Sequence, residues 1–116
     1  MWWRVAGVVG ALAVAFGAFG AHGLKGSEDK VLEWWDTAAK YHLAHALALC
    51  AVAAHPGQPR VAGILFIVGI VLFSGSLYTM ALTGITKLGM VTPIGGLCLI
   101  GGWLALGFAA AKQPVM

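Results

Sequence analysis

The chain has 116 residues, of which 60% are hydrophobic and only 9% are charged, and its formal net charge at pH 7 is +3. Soluble globular domains are about 45–50% apolar and about 25% charged, so this composition excludes an ordinary soluble domain. It predicts an integral membrane protein whose apolar surface is covered by lipid. The basic residues are scattered and form no patch, so nucleic-acid binding is not expected.

Four apolar stretches are each long enough to cross a hydrocarbon core of about 30 Å, which takes about 20 residues. They predict membrane-spanning helices over about residues 2–21, 35–54, 61–82 and 93–111. The predicted fold class is therefore all-α, a single four-helix transmembrane bundle that occupies residues 1–116.

The first predicted helix begins with Trp2, Trp3 and Arg4, a combination typical of an anchor at the membrane interface. Its end is rich in small residues between Gly17 and Ala21, as a signal-peptide cleavage site would be. The apolar run, however, exceeds the usual signal-peptide core of about 7–15 residues. We therefore expect helix one to be retained in the mature protein.

The second predicted helix is the most polar of the four. Residues 28–35 are amphipathic and predict a turn or two lying at the interface before the span begins. Asp36 and Lys40 follow at a spacing of four with the acid first, the favourable order for an ion pair on a helix. His45 lies about ten residues from either end of the span, so about 15 Å deep. An ionisable group at that depth is costly unless it is neutral and partnered, or faces water.

Helices three and four are joined by a short turn between Gly84 and Gly89. Thr92 and Pro93 then predict the start of helix four, with threonine as the N-cap and proline at the first helical position. Small residues allow membrane helices to approach closely. The small residues that we assign to helix packing are Gly17, Ala21, Gly75, Gly95, Gly96 and Gly102. Such positions also suit contacts between copies of an oligomer, and the sequence leaves both uses open.

Polar side chains within the predicted spans concentrate in one leaflet. In an antiparallel bundle, the connection between helices one and two and the connection between helices three and four share one membrane face. The candidate polar cluster near that face consists of His22, Tyr41, His45, Ser74, Ser76 and Thr79. Two interpretations remain open. Either these groups form a polar cavity or relay around His45, or His45 is neutral and makes one structural hydrogen bond between helices.

Catalytic, metal and cofactor sites are not predicted. His42 and His45 are three residues apart, but a third metal ligand would have to be His22, and no carboxylate lies within reach inside the membrane. His22 also lies too close to the surface to serve with His45 as an axial haem ligand. The Ser74-Gly75-Ser76 segment does not match the Gly-x-Ser-x-Gly motif of hydrolases. The four acidic residues lie in or beside the first loop, which disfavours proton-coupled export through an embedded carboxylate. We expect no enzymatic activity.

Four blocks of residues, in this order along the chain, resemble one protein family. They are Gly17-Ala18-Phe19-Gly20-Ala21-His22, then Trp35, Thr37, Tyr41 and His45, then Leu72-Phe73-Ser74-Gly75-Ser76-Leu77-Tyr78, and finally Val91-Thr92-Pro93-Ile94-Gly95-Gly96. The blocks resemble the small membrane proteins called domain of unknown function 423, which are similar to transmembrane protein 256. The resemblance covers nearly the whole chain. It implies a multi-pass protein of the bacterial inner membrane with both termini cytoplasmic, and it offers no established activity to transfer.

Two functions follow from these observations as expectations. The first is a non-enzymatic accessory or structural subunit in the lipid bilayer, which associates with itself or with another membrane protein. The alternative is a small solute or ion permease, or a ligand-binding protein, that uses a polar cavity around His45.

Overall fold

The computed structural model describes residues 1–110 of the chain, and its architecture is all-helical, as predicted. In this part of the chain the helices are α1 (Trp2–Gly23), α2 (Asp29–Ala54), α3 (Arg60–Thr83) and α4 (Thr92–Gly107). A short 3₁₀ helix (Thr86–Met90) occupies the predicted turn between α3 and α4.

Helix α2 begins at Asp29, within the amphipathic segment that the sequence assigns to its start, and continues without a break through residues 35–54. The end of α4 differs from the prediction. Helix α4 ends at Gly107, before the predicted end at residue 111, and residue 111 itself lies outside the described residues. Glycine is among the weakest helix formers, which is consistent with an end at this position.

The start of α4 also corrects a detail of the prediction. Thr92 is already part of the helix, Val91 is the N-cap, and no side chain caps the first turn. The Thr92 hydroxyl contacts Ser76 of α3 instead. Pro93 does lie in the first turn, where its missing N–H leaves no helical hydrogen bond unmade.

Three segments of the described chain are long and apolar enough to cross a membrane: Trp2–Gly23, Arg60–Thr83 and Thr86–Gly107. Helix α2 is not among them, although its 26 residues are more than long enough. Its apolar run is interrupted by Lys40, His42 and His45. By length and composition, therefore, three of the four predicted spans have the properties of membrane helices.

Consecutive helices lie side by side, so that α1 contacts α2, α2 contacts α3 and α3 contacts α4. Helices α2 and α3 contain most of the buried residues and form the inner pair. One apolar cluster lies towards the end of the bundle that contains the N-terminus and includes Trp2, Val52 and Phe66. A second cluster lies towards the opposite end and includes Trp35 and Tyr78.

Glycines permit the closest helix contacts. A Cβ atom on Gly95 would lie 2.7–2.8 Å from backbone atoms of Leu72 and Phe73, so α4 approaches the backbone of α3 at this point. A Cβ on Gly102 would meet the ring of Phe66, 2.6 Å away, and one on Gly63 would meet the ring of Trp2. Trp2, expected as an interfacial anchor, is instead buried against α3, whereas Trp3 remains exposed.

The other small residues assigned to helix packing have different surroundings. A Cβ on Gly96 would make ordinary contact with Phe73 at 3.7 Å. A Cβ on Gly17 or Gly75 would meet nothing within 4 Å, and Ala21 is exposed. These three residues therefore do not lie at close contacts between helices of this chain. Spacing along a helix identifies a face, but it does not identify what that face contacts.

Candidate functional site

A stripe of buried residues on α2 brings two histidines into the interior of the bundle. Successive members of the stripe are separated alternately by three and four residues, the spacing at which side chains share one face of a helix. The stripe consists of Trp35, Ala38, His42, His45, Leu49 and Val52, all of which are buried. Both histidines therefore face neighbouring helices.

His45 is 5% exposed and uses both of its ring nitrogens in hydrogen bonds within the chain. Nδ1 lies 2.7 Å from the backbone carbonyl oxygen of Tyr41, one turn earlier on α2. The indole Nε1 of Trp103, on α4, donates to Nε2 across 3.0 Å. A carbonyl only accepts and an indole N–H only donates, so Nδ1 carries the proton and Nε2 accepts. His45 is therefore a neutral imidazole that connects α2 to α4.

His42 contacts Tyr78 on α3, at the level where α1 also approaches. Its Nδ1 lies 2.9 Å from the Tyr78 hydroxyl. The ring of Phe16, on α1, meets the Tyr78 ring edge-on, with 4.8 Å between the centroids. Trp35 completes the group, since its indole N–H donates to the Phe16 carbonyl across 2.7 Å and its ring lies 4.5 Å from that of Tyr78. These four side chains hold α1, α2 and α3 together.

The two buried serines of α3 bond to the helices on either side. Ser74 donates to the backbone carbonyl of Ala38 on α2, at 2.8 Å. Ser76 donates to the carbonyl of Phe73 on its own helix, at 2.9 Å. Because that bond uses the only hydroxyl proton of Ser76, we assign Thr92 of α4 as the donor in the 2.5 Å contact between the two hydroxyls. Each serine thus links α3 to a neighbour.

The structure does not gather the six residues of the candidate polar cluster into one site. His45, Ser74 and Ser76 are buried, but each bonds to a different partner. His22 is exposed at the end of α1. Thr79 is exposed on α3, where its hydroxyl bonds to a carbonyl one turn earlier on the same helix. Tyr41 is 43% exposed and stacks on the His45 ring.

Three residues that take part in these hydrogen bonds were not in the candidate polar cluster: His42 and Tyr78, which are buried, and Trp103, which is 48% exposed. The alternating spacing from Trp35 to Val52 would have identified His42 as a buried position. Trp103 had no comparable signal, because its role depends on which residue of α2 lies opposite α4.

A cavity of about 250 Å³ lies between α1 and α3, beside His42 and not His45. The residues of its lining with polar side chains are His42, Ser74 and Tyr78. Their polar atoms bond to one another or to backbone, as His42 does to Tyr78 and Ser74 to Ala38. The rest of the lining is apolar and includes Phe16 and Ile70. The cavity is therefore suited to apolar contents.

Hydrogen bonding accounts for the polar groups of the interior. Within residues 1–110, every buried side-chain nitrogen and oxygen has a hydrogen-bond partner. In the same residues, no three side chains of His, Cys, Asp or Glu lie close enough together to hold a metal ion. These hydrogen bonds join the helices to one another: α2 to α3, α2 to α4 and α3 to α4.

Comparison with known proteins gives consistent matches over most of the chain. The family model described as "Protein of unknown function (DUF423)" matches residues 16–96. The chain is 48% identical over 108 residues to the UPF0382 membrane protein YwdK of Bacillus subtilis (strain 168), covering 87% of this chain and 88% of that protein. It is 41% identical over 113 residues to the UPF0382 membrane protein C1782.12c of Schizosaccharomyces pombe, covering 90% and 96%. A UPF0382 membrane protein of Haemophilus influenzae is 39% identical over 109 residues. No solved structure matches significantly.

Proposed function

The chain belongs to the DUF423 family, as its sequence blocks predicted, and from this premise we propose that it is a non-enzymatic accessory or structural subunit that crosses the membrane four times. Its relatives are named membrane proteins, which supports the membrane location. We assign it to the bacterial inner membrane with both termini cytoplasmic. Its partners are the lipid bilayer and a protein, either a second copy or another membrane protein.

The proposed fourth span is α2, the helix whose composition is least typical of a membrane segment. Its 26 residues extend about 39 Å, which exceeds a hydrocarbon core of about 30 Å. It contacts α1 on one side and α3 on the other, and both of those helices have the length and composition of membrane spans. Its polar side chains His42 and His45 are hydrogen-bonded within the bundle, which lowers the cost of placing them in lipid.

The structural role depends on one observation, the engagement of both His45 nitrogens by Tyr41 and Trp103. Polar side chains that hydrogen-bond across helices stabilise membrane bundles. A histidine used in this way has no free nitrogen to bind a substrate or to exchange a proton. The permease alternative finds less support in this geometry, because the cavity beside His42 has an apolar lining that does not include His45.

Replacing His45 tests this proposal. We expect His45→Ala to lower the free energy of unfolding by about 1–2 kcal/mol, because Trp103 loses its acceptor and α2 loses its bond to α4. The measurement is thermal unfolding of the purified protein in detergent micelles. His22→Ala is the matched control, since His22 is exposed at the end of α1, and it should leave the stability unchanged.

A flux measurement on the same proteins separates the two candidate functions. Purified wild type, His45→Ala and His22→Ala are reconstituted into vesicles, and the release of trapped small ions and neutral solutes is recorded. The structural role predicts the same release from all three and from empty vesicles. If the wild type releases a solute and His45→Ala, still fully folded, does not, the permease alternative is correct and the structural proposal is wrong.

A further inference from the structure

A groove on the outer side of α1 and α2 carries two charged side chains. Asp36 and Lys40 lie along its α2 edge, with 3.6 Å between the Lys40 Nζ and an Asp36 carboxylate oxygen. Both side chains are about three-quarters exposed, at 74% and 73%. The groove is otherwise formed by the larger apolar residues Val14, Leu32, Trp35 and Leu43 and by six small residues: Ala13, Gly17, Ala18, Gly20, Ala21 and Ala39.

The ion pair lies within the depth of the proposed membrane span. Lys40 is 14 residues before the end of α2 at Ala54, which is about 21 Å along the helix. In a hydrocarbon core of about 30 Å, its Cα then lies about 9 Å below the face at which α2 enters. The Lys40 side chain extends back towards that face and meets Asp36 one turn earlier. Charged groups at this depth normally face a protein partner or water and not lipid.

Of the two glycines that line this groove, Gly20 lies against the ring of Trp35, but Gly17 has no role in contacts within the chain. A Cβ on Gly17 would meet no atom within 4 Å, so the chain itself does not require glycine at this position. Gly17 nevertheless lies at the centre of the groove, where a side chain would fill space now open to the outside. Small residues at such positions allow the backbone of another membrane helix to approach closely.

We propose that this groove is the surface through which two copies of the chain associate, with Asp36 of each copy opposite Lys40 of the other. This inference rests on the proposed function, since it requires α2 to cross the membrane. The two charges lie 3.6 Å apart, so their depths differ by no more than that distance. A two-fold axis along the bilayer normal then places Asp36 of each copy within reach of the flexible Lys40 side chain of the other, which makes the surface complementary to itself.

Charge complementarity favours a second copy over an anionic lipid as the occupant. A phosphate headgroup would be attracted by Lys40 but repelled by Asp36, which lies only 3.6 Å away. A second copy supplies one charge of each sign and satisfies both residues. The remaining surface of the groove is apolar, and its α1 side consists mostly of small residues, which suits contact with another membrane helix.

Charge reversal tests the proposed dimer. Copies carrying donor or acceptor fluorescent proteins at the C-terminus are reconstituted together in lipid vesicles, and energy transfer is recorded as the protein is diluted with lipid. Wild type should associate. Asp36→Lys gives each copy two positive charges at this site and Lys40→Asp gives each copy two negative charges, so each variant alone should associate at least roughly tenfold more weakly.

Mixing the two variants gives the decisive result. A copy with Asp36→Lys should associate with a copy carrying Lys40→Asp about as strongly as wild type does with itself, because unlike charges again face each other. The ion pair within one helix cannot produce this rescue, since neither variant retains an unlike pair of its own. The proposal is overturned if the mixture transfers no more energy than the separate variants, or if wild type shows no transfer beyond random proximity.

A steric variant tests the same surface without changing charge. Gly17→Leu should fill the groove and abolish energy transfer, while Gly7→Leu should leave it at the wild-type level. Gly7 is the matched control because it is an exposed glycine of α1 at which a Cβ would also meet nothing within 4 Å, and it lies outside the groove. Equal association of both variants would contradict the proposal.

These outcomes are distinguishable from a failure of the proposed function. If the wild-type protein crosses the membrane four times but stays monomeric, only the proposed dimer is wrong. If α2 does not cross the membrane, both the proposed dimer and the proposed function are wrong. Labelling of the connecting loops reports whether α2 crosses, independently of association.

Discussion

A histidine in the middle of a membrane protein invites a functional interpretation, yet both ring nitrogens of His45 are engaged within the chain. Its Nδ1 proton is bonded to the Tyr41 carbonyl and its Nε2 accepts from Trp103. The sequence predicted the depth of His45 and allowed for a neutral, partnered ring. It did not predict the partner, because depth follows from counting residues along a helix, whereas the partner depends on how the helices are rotated about their axes.

Trp103 offers the simplest test at this scale. Trp103→Phe keeps an aromatic ring against Phe66 but removes the N–H that Nε2 of His45 accepts. We expect the free energy of unfolding to fall by about 1 kcal/mol, the usual cost of leaving a buried acceptor unpaired. Trp3→Phe is the matched control, since Trp3 is 59% exposed, and it should have no effect. Equal stability of the two variants in detergent unfolding would show that the bond contributes nothing.

The rotation of the helices about their axes, which residue counting does not predict, also explains why the candidate polar cluster divides into separate contacts. Ser74 and Ser76 are two residues apart, about 200° around a helix that has 3.6 residues per turn. They therefore face α2 and α4 respectively, although their depths are nearly equal. The sequence placed both in one long apolar helix, as the structure does, but it did not predict that they would serve different interfaces.

At the scale of the elements, the contact between α3 and α4 depends on glycine. Gly95 lies where α4 approaches the backbone of Leu72 and Phe73, and backbone atoms cannot move aside as a flexible side chain does. The sequence identified Gly95 and Gly102 as packing residues. It did not identify Gly63, because that contact requires a large side chain, Trp2, opposite the glycine on another helix.

Replacing Gly95 and Gly96 separately by alanine distinguishes the effect of steric fit from the effect of helix propensity. Alanine is the better helix former by about 1 kcal/mol, so Gly→Ala stabilises an unobstructed helix. Gly96→Ala should be neutral or stabilising, because its new methyl group makes ordinary contact with Phe73 at 3.7 Å. Gly95→Ala should lower the free energy of unfolding by about 1–3 kcal/mol, since its methyl group has no space beside α3. Thermal unfolding in micelles measures both, and a stabilised Gly95→Ala protein would contradict the close approach.

For the molecule as a whole, apolar composition identifies α1, α3 and the segment that contains α4, but it does not identify α2. The physical reason is that α2 contains charged and polar residues: Lys40 is exposed, whereas His42 and His45 are directed towards the other helices and are hydrogen-bonded there. Composition averages over all faces of a helix and misses this distinction. The spacing of apolar and polar residues retains it, whereas the span at residues 35–54 was predicted from the length of its apolar stretch alone.

Labelling of the connecting loops tests most directly whether α2 crosses the membrane. Lys25→Cys, Gln58→Cys and Lys87→Cys are made separately in a protein carrying Cys50→Ala and Cys98→Ala, and intact cells are treated with a membrane-impermeant maleimide. Four spans with cytoplasmic termini predict that the thiols at positions 25 and 87 react from outside, while the thiol at position 58 reacts only after permeabilisation. Reaction of positions 25 and 58 from the same side would show that α2 does not cross, and would contradict the account.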